Sequence, residues 1–244
     1  MTRSSLGKIG LGLGGIAALA ALAWNYLALP TSTQWTDEEQ RLIASLSLSQ
    51  LPRLPADPSN AQADNPDAAE LGHALYFDTR LSSTGAVACA TCHKPERMFT
   101  DGLKLAVGAG IGNRHTPSLV GLSYSPWFYW DGRKDSQWAQ ALAPLEAKHE
   151  HAMTRSDLAR LILSDADYSA RYRSAFGAFP SVDIPAGASP LGDDTERAKW
   201  EGLPETEQQA INEIFTNIGK ALAAYQRKIQ PGRARFDDYA DRLS

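Results

Sequence analysis

Cys89-Ala90-Thr91-Cys92-His93 brings together the chain's two cysteines and one of its five histidines. Two thiols at this spacing can reach the two vinyl groups on one edge of a porphyrin and form thioethers. The residue that follows then lies under the iron and offers an imidazole nitrogen. The rival chemistries fit less well. A zinc site needs two more soft ligands, and no further cysteine exists to supply them. A redox C-x-x-C belongs in a βαβ pattern, and none surrounds this one. The motif therefore predicts one covalent haem c, with Cys89 and Cys92 fixing the ring and His93 as the proximal metal ligand.

Haem reactivity is set by axial ligation and distal polarity. An electron carrier needs two strong ligands. A peroxidase needs an open position and a group that moves a proton between the two peroxide oxygens. The segment His149-Glu150-His151-Ala152-Met153 holds candidates for both. His149, His151 or Met153 would close the iron of a six-coordinate electron-transfer cytochrome, whereas Met98 lies too near His93 to cross the ring. Glu150, set against an apolar haem face, would have a raised pKa suited to proton transfer, or else is a solvated loop charge. A third class is a haem-based sensor with an open iron.

These groups need helices to hold them. Leu71, Ala74 and Leu75 recur at helical spacing, with Asp67 and Glu70 predicting a capping box, and His73 reads as an ordinary histidine. The haem motif is expected on a short helix. Leu81–Val87 and 94–116 read as loops. Gly108, Gly110 and Gly112 do not match a phosphate loop and are expected to let backbone pass close to the porphyrin. Helices are predicted over about 135–145, from Thr154 onward, and through Tyr168, Tyr172 and Phe176 to Gly177. Residues 177–204 read as a loop. A long helix from about Glu205 to Ile229 carries an apolar stripe of Ile211, Ile214, Phe215, Ile218, Leu222, Tyr225 and Ile229. The tail from Arg233 is charged. With few alternating β-branched runs, the fold class is all-α: a cytochrome c-like haem domain with long loops and an N-terminal hydrophobic helix.

The 244 residues allow one core with extensions, and a net charge of −4 argues against nucleic acid. Arg3 and Lys8 precede an apolar run from Ile9 to Leu29. This predicts, over 1–30, a cleaved signal peptide or an uncleaved membrane anchor. Either exports the domain, as haem c attachment requires, to the periplasm, free or anchored to the inner membrane. Residues 31–66, with four prolines from Pro52 to Pro66, read as a linker holding a short helix near Glu38–Leu48. The haem domain is placed at 67–244.

Several motifs in register resemble the bacterial di-haem cytochrome c peroxidase and MauG family. They are Leu71-Gly72-x-x-Leu75-x-Phe77-Asp78-x-Arg80-Leu81-Ser82, the C-x-x-C-H, Phe99-Thr100-Asp101-Gly102, Arg114-x-x-Pro117-Ser118-Leu119, Trp130-Asp131-Gly132-Arg133, Gln140-Ala141-Leu142-x-Pro144-Leu145 and Phe236-Asp237-x-Tyr239. The resemblance covers about 66–240 and only the family's N-terminal, peroxidatic half. It implies that His93 is the peroxidatic proximal ligand and that Trp130 is the inter-haem tryptophan. Gln140 and Glu150 would be the distal glutamine and glutamate, with Pro144 between them. Arg114 and Arg133 are read as cofactor-binding, Arg133 reaching a propionate or bracing the Asp-Gly turn. Trp130 would relay electrons or pack with Trp127 and Tyr129 in an aromatic core. Ala109 stands where other members carry a displaceable distal histidine, which implies a haem that needs no opening. His115 stands at a calcium-holding asparagine and the other calcium ligands lie in the other half, so calcium is a doubtful cofactor. The implied activity is reduction of hydrogen peroxide, or its use to oxidise a partner. Electrons would come from a second haem protein or subunit, whether the chain is a complete subunit or a segment of a longer one.

Overall fold

The computed structural model describes residues 35–243, and the 1–30 segment expected as signal or anchor lies outside them. Among the described residues the protein is helical, with three isolated β-bridges and no strand, and no helix is long and apolar enough to cross a membrane. The chain divides into two units, one formed by the N-terminal segment to Leu51 with Arg233 onward, the other by Pro52–Gly232.

In the first unit, α1 (Asp37–Ser45) starts at a capping box in which Thr36 and Glu39 satisfy each other's backbone N–H groups. Helix α9 (Arg235–Ala240) occupies what reads in sequence as a charged tail. Its Asp237 accepts the Leu48 N–H at 2.7 Å, and Asp241 beyond it accepts from Ser47, Ser49 and Arg233. Those donors hold the Asp241 carboxyl down at about 2.

The second unit is built around α8 (Glu205–Gln226). The stripe expected from its sequence is the core: Ile211, Ile214, Phe215, Ile218 and Leu222 are buried. The helix ends three residues before Ile229, which is buried beyond it. Packed on α8 are α2 (Pro66–Phe77), α4 (Gln137–Glu146) and α5 (Arg155–Ser164), with α6 (Ala166–Phe176) against α2 and α5; together they supply Leu71, Leu75, Leu142, Leu145, Leu158, Ile162 and Tyr172. Two glycines set the crossings. A Cβ at Gly72 would lie 2.0 Å from the Ala221 carbonyl oxygen, so α2 touches the α8 backbone directly. A Cβ at Gly219 would lie 2.6 Å from Leu142 Cγ and 2.7 Å from the Trp138 oxygen of α4. Gly219→Ala is therefore expected to destabilise by about 1–3 kcal/mol from overpacking. That cost exceeds the ~1 kcal/mol that alanine gains in helix propensity. Urea titration of the two proteins measures it, and an alanine variant at least as stable as the parent would show that the crossing relaxes.

The helix starts correct some expectations. Helix α2 is capped by Asn65, whose side chain accepts the Asp67 N–H at 2.9 Å, and Pro66 takes the first helical position. Proline is suited there because its missing N–H needs no partner. Asp67 instead accepts from Ser174. Thr154 caps α5 and Gly177 (φ 90°) ends α6, as expected. Within 177–204, read as a loop, lies α7 (Asp194–Glu201), opened by a capping box of Asp193 and Glu196. Its one buried side chain is Trp200, which is too little to write a periodic stripe. Residues 52–65 lie against the helices: Arg227 grips Asp64 and the Pro55 carbonyl, Asn60 bonds the Lys220 carbonyl, and Trp138 donates to Ser59.

Candidate haem site

Helix α3 is a single turn, Cys89–Cys92, with the His93 N–H bonded back to the Cys89 carbonyl at 2.9 Å. One turn places both sulfurs on one side, just ahead of the imidazole. Burial pushes the Cys89 thiol up to about 12 and raises Cys92 as well. Neither thiol is shifted toward the activated thiolate that a redox C-x-x-C uses.

The histidine is aimed from its far side. Met98 and Phe99 both take left-handed backbone conformations, at φ 55° and 58°. Such conformations are costly for non-glycine residues and persist where the surroundings enforce them. Here they turn the Phe99 carbonyl onto His93 Nδ1 at 3.0 Å. Ser118 holds the Met98 carbonyl, Thr100 donates to the Thr116 carbonyl, and Thr116 donates to Asp101. Tyr76 donates to the His93 carbonyl at 2.7 Å. A carbonyl on Nδ1 fixes the tautomer with the proton there and leaves Nε2 as the free donor. Burial lowers the His93 pKa, which favours the neutral, ligating form. Two thiols on one helical turn and the adjacent imidazole oriented by the Phe99 carbonyl form a donor set that fits a c-type haem.

Gln140 lies in the first half of α4 and Glu150 in the loop that follows the helix's C-terminal end. The last carbonyls of α4 are capped by this returning loop: the His151 N–H donates to Pro144, Met153 to Leu145, and both Glu150 and Ala152 to Ala147. Ala152 turns at φ 56° to complete this. The loop keeps Glu150 beside the helix that carries Gln140. Burial raises the Glu150 carboxyl, while His149 and Arg133 pull in the opposite direction. Glu150 also contacts His149 at 3.6 Å.

The other histidines and methionines named as ligand candidates are placed as follows. His149 is exposed. His151 is buried, its Nδ1 paired with the Leu81 carbonyl at 2.9 Å and its Nε2 4.0 Å from Cys89 Sγ. Met153 packs on the core. Met98 is 64% exposed. His73 is exposed, lying against the rings of Phe77 and Tyr225. His115 is exposed, and no group of three or more His, Cys, Asp or Glu able to hold a metal occurs among the described residues.

Two arrangements go beyond the sequence reading, although the bracing of the Asp-Gly turn by Arg133 was among its alternatives. The first is the glycine loop. The Ala109 N–H donates to the Glu150 carbonyl at 2.8 Å and the Gly110 N–H to that of His149 at 3.0 Å. A Cβ on Gly108 would lie 2.8 Å from both those oxygens, so this glycine is required by backbone approach to 149–150. The second is a pair of stacked arginines. The Arg133 guanidinium lies 3.5 Å over the Tyr129 ring and pairs with Asp131 at 2.8 Å, so it braces the Asp-Gly turn. Tyr129 itself is left-handed (φ 66°), and its hydroxyl feels Gln140 and Glu150. The Arg114 guanidinium lies 4.4 Å over the ring of Trp130. Trp130 is 72% exposed and Trp127 61%, so the aromatic-core reading fails for both, and Phe128 is the buried member of the run.

Known proteins share this architecture. The family described as di-haem cytochrome c peroxidase matches residues 66–243. Methylamine utilization protein MauG of Methylorubrum extorquens is 34% identical over 177 residues, covering 72% of this chain and 41% of that protein. Cytochrome c551 peroxidase of Nitrosomonas europaea is 32% identical over 116 residues, covering 47% of this chain and 35% of that protein. The chain thus spans less than half the length of these relatives. A MauG-like protein associated with microbial copper homeostasis shares the fold, with a TM-score of 0.55 at 24% identity over 80% of this chain and 50% of that one.

Proposed function

The chain belongs to the di-haem cytochrome c peroxidase family, and on that premise we propose that it is a c-type haem protein reducing hydrogen peroxide, or using it to oxidise a partner. One haem c, held through Cys89 and Cys92 with His93 Nε2 as ligand, supplies the redox-active iron when bound. The carrying observation is the carbonyl of Phe99 on His93 Nδ1, 3.0 Å away, directly after the two thiols. It is the arrangement that would orient a metal-ligating histidine.

The chain's own groups have these roles in the proposal. Gln140 donates a hydrogen bond to bound peroxide. Glu150 would take a proton from one peroxide oxygen and deliver it to the other, while the electrons for O–O cleavage would come from the haem when bound. The raised pKa of Glu150 suits a group that must both accept and release a proton. Pro144 lies between Gln140 and Glu150 near the end of α4, where its carbonyl holds the His151 N–H of the Glu150 loop. Trp130, exposed beside the site, relays electrons from a second haem protein or subunit. Arg114 and Arg133, stacked on Trp130 and Tyr129, would be the cofactor-binding cations. The haem domain is taken as 67–244 and 1–30 as signal or anchor, while 52–65, read in sequence as part of a linker, is bonded to the domain's helices. A periplasmic setting follows from covalent haem attachment.

The test is the electronic spectrum of the purified ferric protein with and without stoichiometric peroxide. High-spin iron that is oxidised by peroxide is the expected result. A low-spin iron indifferent to peroxide would make the protein an electron carrier and overturn the proposal.

A further inference from the structure

Arg114 sits at the closed end of a loop. Its carbonyl accepts the Ala106 N–H at 2.8 Å, and the Ala106 carbonyl accepts the Gly112 N–H at 2.8 Å. Val107 and Ile111 pair across the same loop. Ala109 and Gly110 fasten it to Glu150 and His149. The loop that clamps Glu150 thus also presents the Arg114 guanidinium, 4.4 Å from the centre of the Trp130 indole. Arg114 has no carboxylate partner among the ion pairs of the described residues. Trp127, three residues away and 61% exposed, has no cation stacked on it among the described residues.

A cation over a neutral indole is attracted to the electron-rich face. The same cation opposes loss of an electron, because the indole then becomes a radical cation facing a permanent positive charge. We infer that Arg114 governs how readily Trp130 gives up an electron, acting as a positioning residue that holds the indole reduced. This rests on the reading of Trp130 as an electron relay. At the observed 4.4 Å, a unit charge in water-like surroundings disfavours the oxidised indole by about 5-fold, and by more where water is thinned. When Trp130 is oxidised, one electron passes to the oxidant and the indole N–H proton leaves to water. The neutral radical is then trapped by dioxygen.

The experiment uses the haem-loaded chain and photogenerated tris(bipyridine)ruthenium(III) as the one-electron oxidant, with persulfate as the sacrificial acceptor. Tandem mass spectrometry reads oxygenation at Trp130 against Trp127 as the internal standard. R114Q is expected to raise the Trp130:Trp127 ratio by about 5-fold, while R114K, which keeps the charge, stays near the parent. An unchanged ratio in R114Q overturns the inference. So does an equal rise in R114K, which would mean that the planar group shields the ring and its charge is irrelevant. Trp130→Phe is assayed separately for peroxide-driven oxidation of a reduced c-type cytochrome. An unchanged rate there removes the relay reading, whereas the ruthenium ratio still reports on Arg114.

Discussion

Glu150→Gln leaves the haem spectrum intact and lowers peroxide turnover by about 10²–10⁴-fold, the range for removal of a positioned proton-transfer group. The spectrum survives because the substitution keeps the side chain's shape. The backbone of Glu150 is also held independently of its carboxyl, by the Ala109 N–H on its carbonyl and by its own N–H on Ala147. What the glutamine loses is the ability to accept the proton. The pH profile carries the same signature. Burial raises the Glu150 carboxyl above its ordinary value of 4.5. The ionised form is the base, so turnover falls as pH drops through that raised pKa, and the acidic limb lies above that of a free glutamate. Stopped-flow mixing with peroxide across pH measures both effects. A glutamine variant with unchanged turnover and the same acidic limb would assign the proton transfer to another group.

Arg155→Leu is expected to cost about 3–5 kcal/mol of folding free energy, the range for breaking a buried ion pair from one side. Arg155 binds Glu146 through two nitrogens, at 2.8 and 3.2 Å, and Asn212 at 2.6 Å. Its guanidinium also lies 4.6 Å over Phe215. The Glu146 side chain is only 5% exposed, so the lone leucine leaves a carboxylate in the core with Ser189 as its remaining partner. The pair joins α4, α5 and α8 at the end of α4 that carries the Glu150 loop. A loss of affinity for peroxide should therefore accompany the loss of stability. Replacing both residues by leucine removes the stranded charge and should recover much of the cost. Urea titrations of the single and double variants decide it. A single variant within ~1 kcal/mol of the parent would mean that water reaches Glu146.

The two predictions differ in how far the sequence alone foresaw them. Glu150 was a candidate from sequence, whereas the partner of Arg155 emerges only from folding. Local rules determined much of the rest. The C-x-x-C-H closes its turn through a bond within the motif, His93 N–H to the Cys89 carbonyl, and a periodic apolar stripe must be buried, so the short haem-motif helix and the face of α8 were readable residue by residue. Thr154 and Gly177 act on the nearest few backbone groups, and they cap their helices as expected. The same locality explains the misses. Asn65 and Asp67 both offer a capping carboxamide or carboxylate, and the choice falls to Pro66 and to Ser174 across the fold. Helix α7 buries only Trp200 and leaves no periodicity to find, although its Asp193–Glu196 capping box stood in the sequence. Tertiary structure alone decided that Gly108 serves backbone approach to His149 and Glu150, that His151 faces Cys89, and that Trp130 lies at the surface under Arg114. Each depends on contacts between segments far apart in the chain. Which of many chemically equivalent partners meet is set by packing around α8, and no local pattern encodes it.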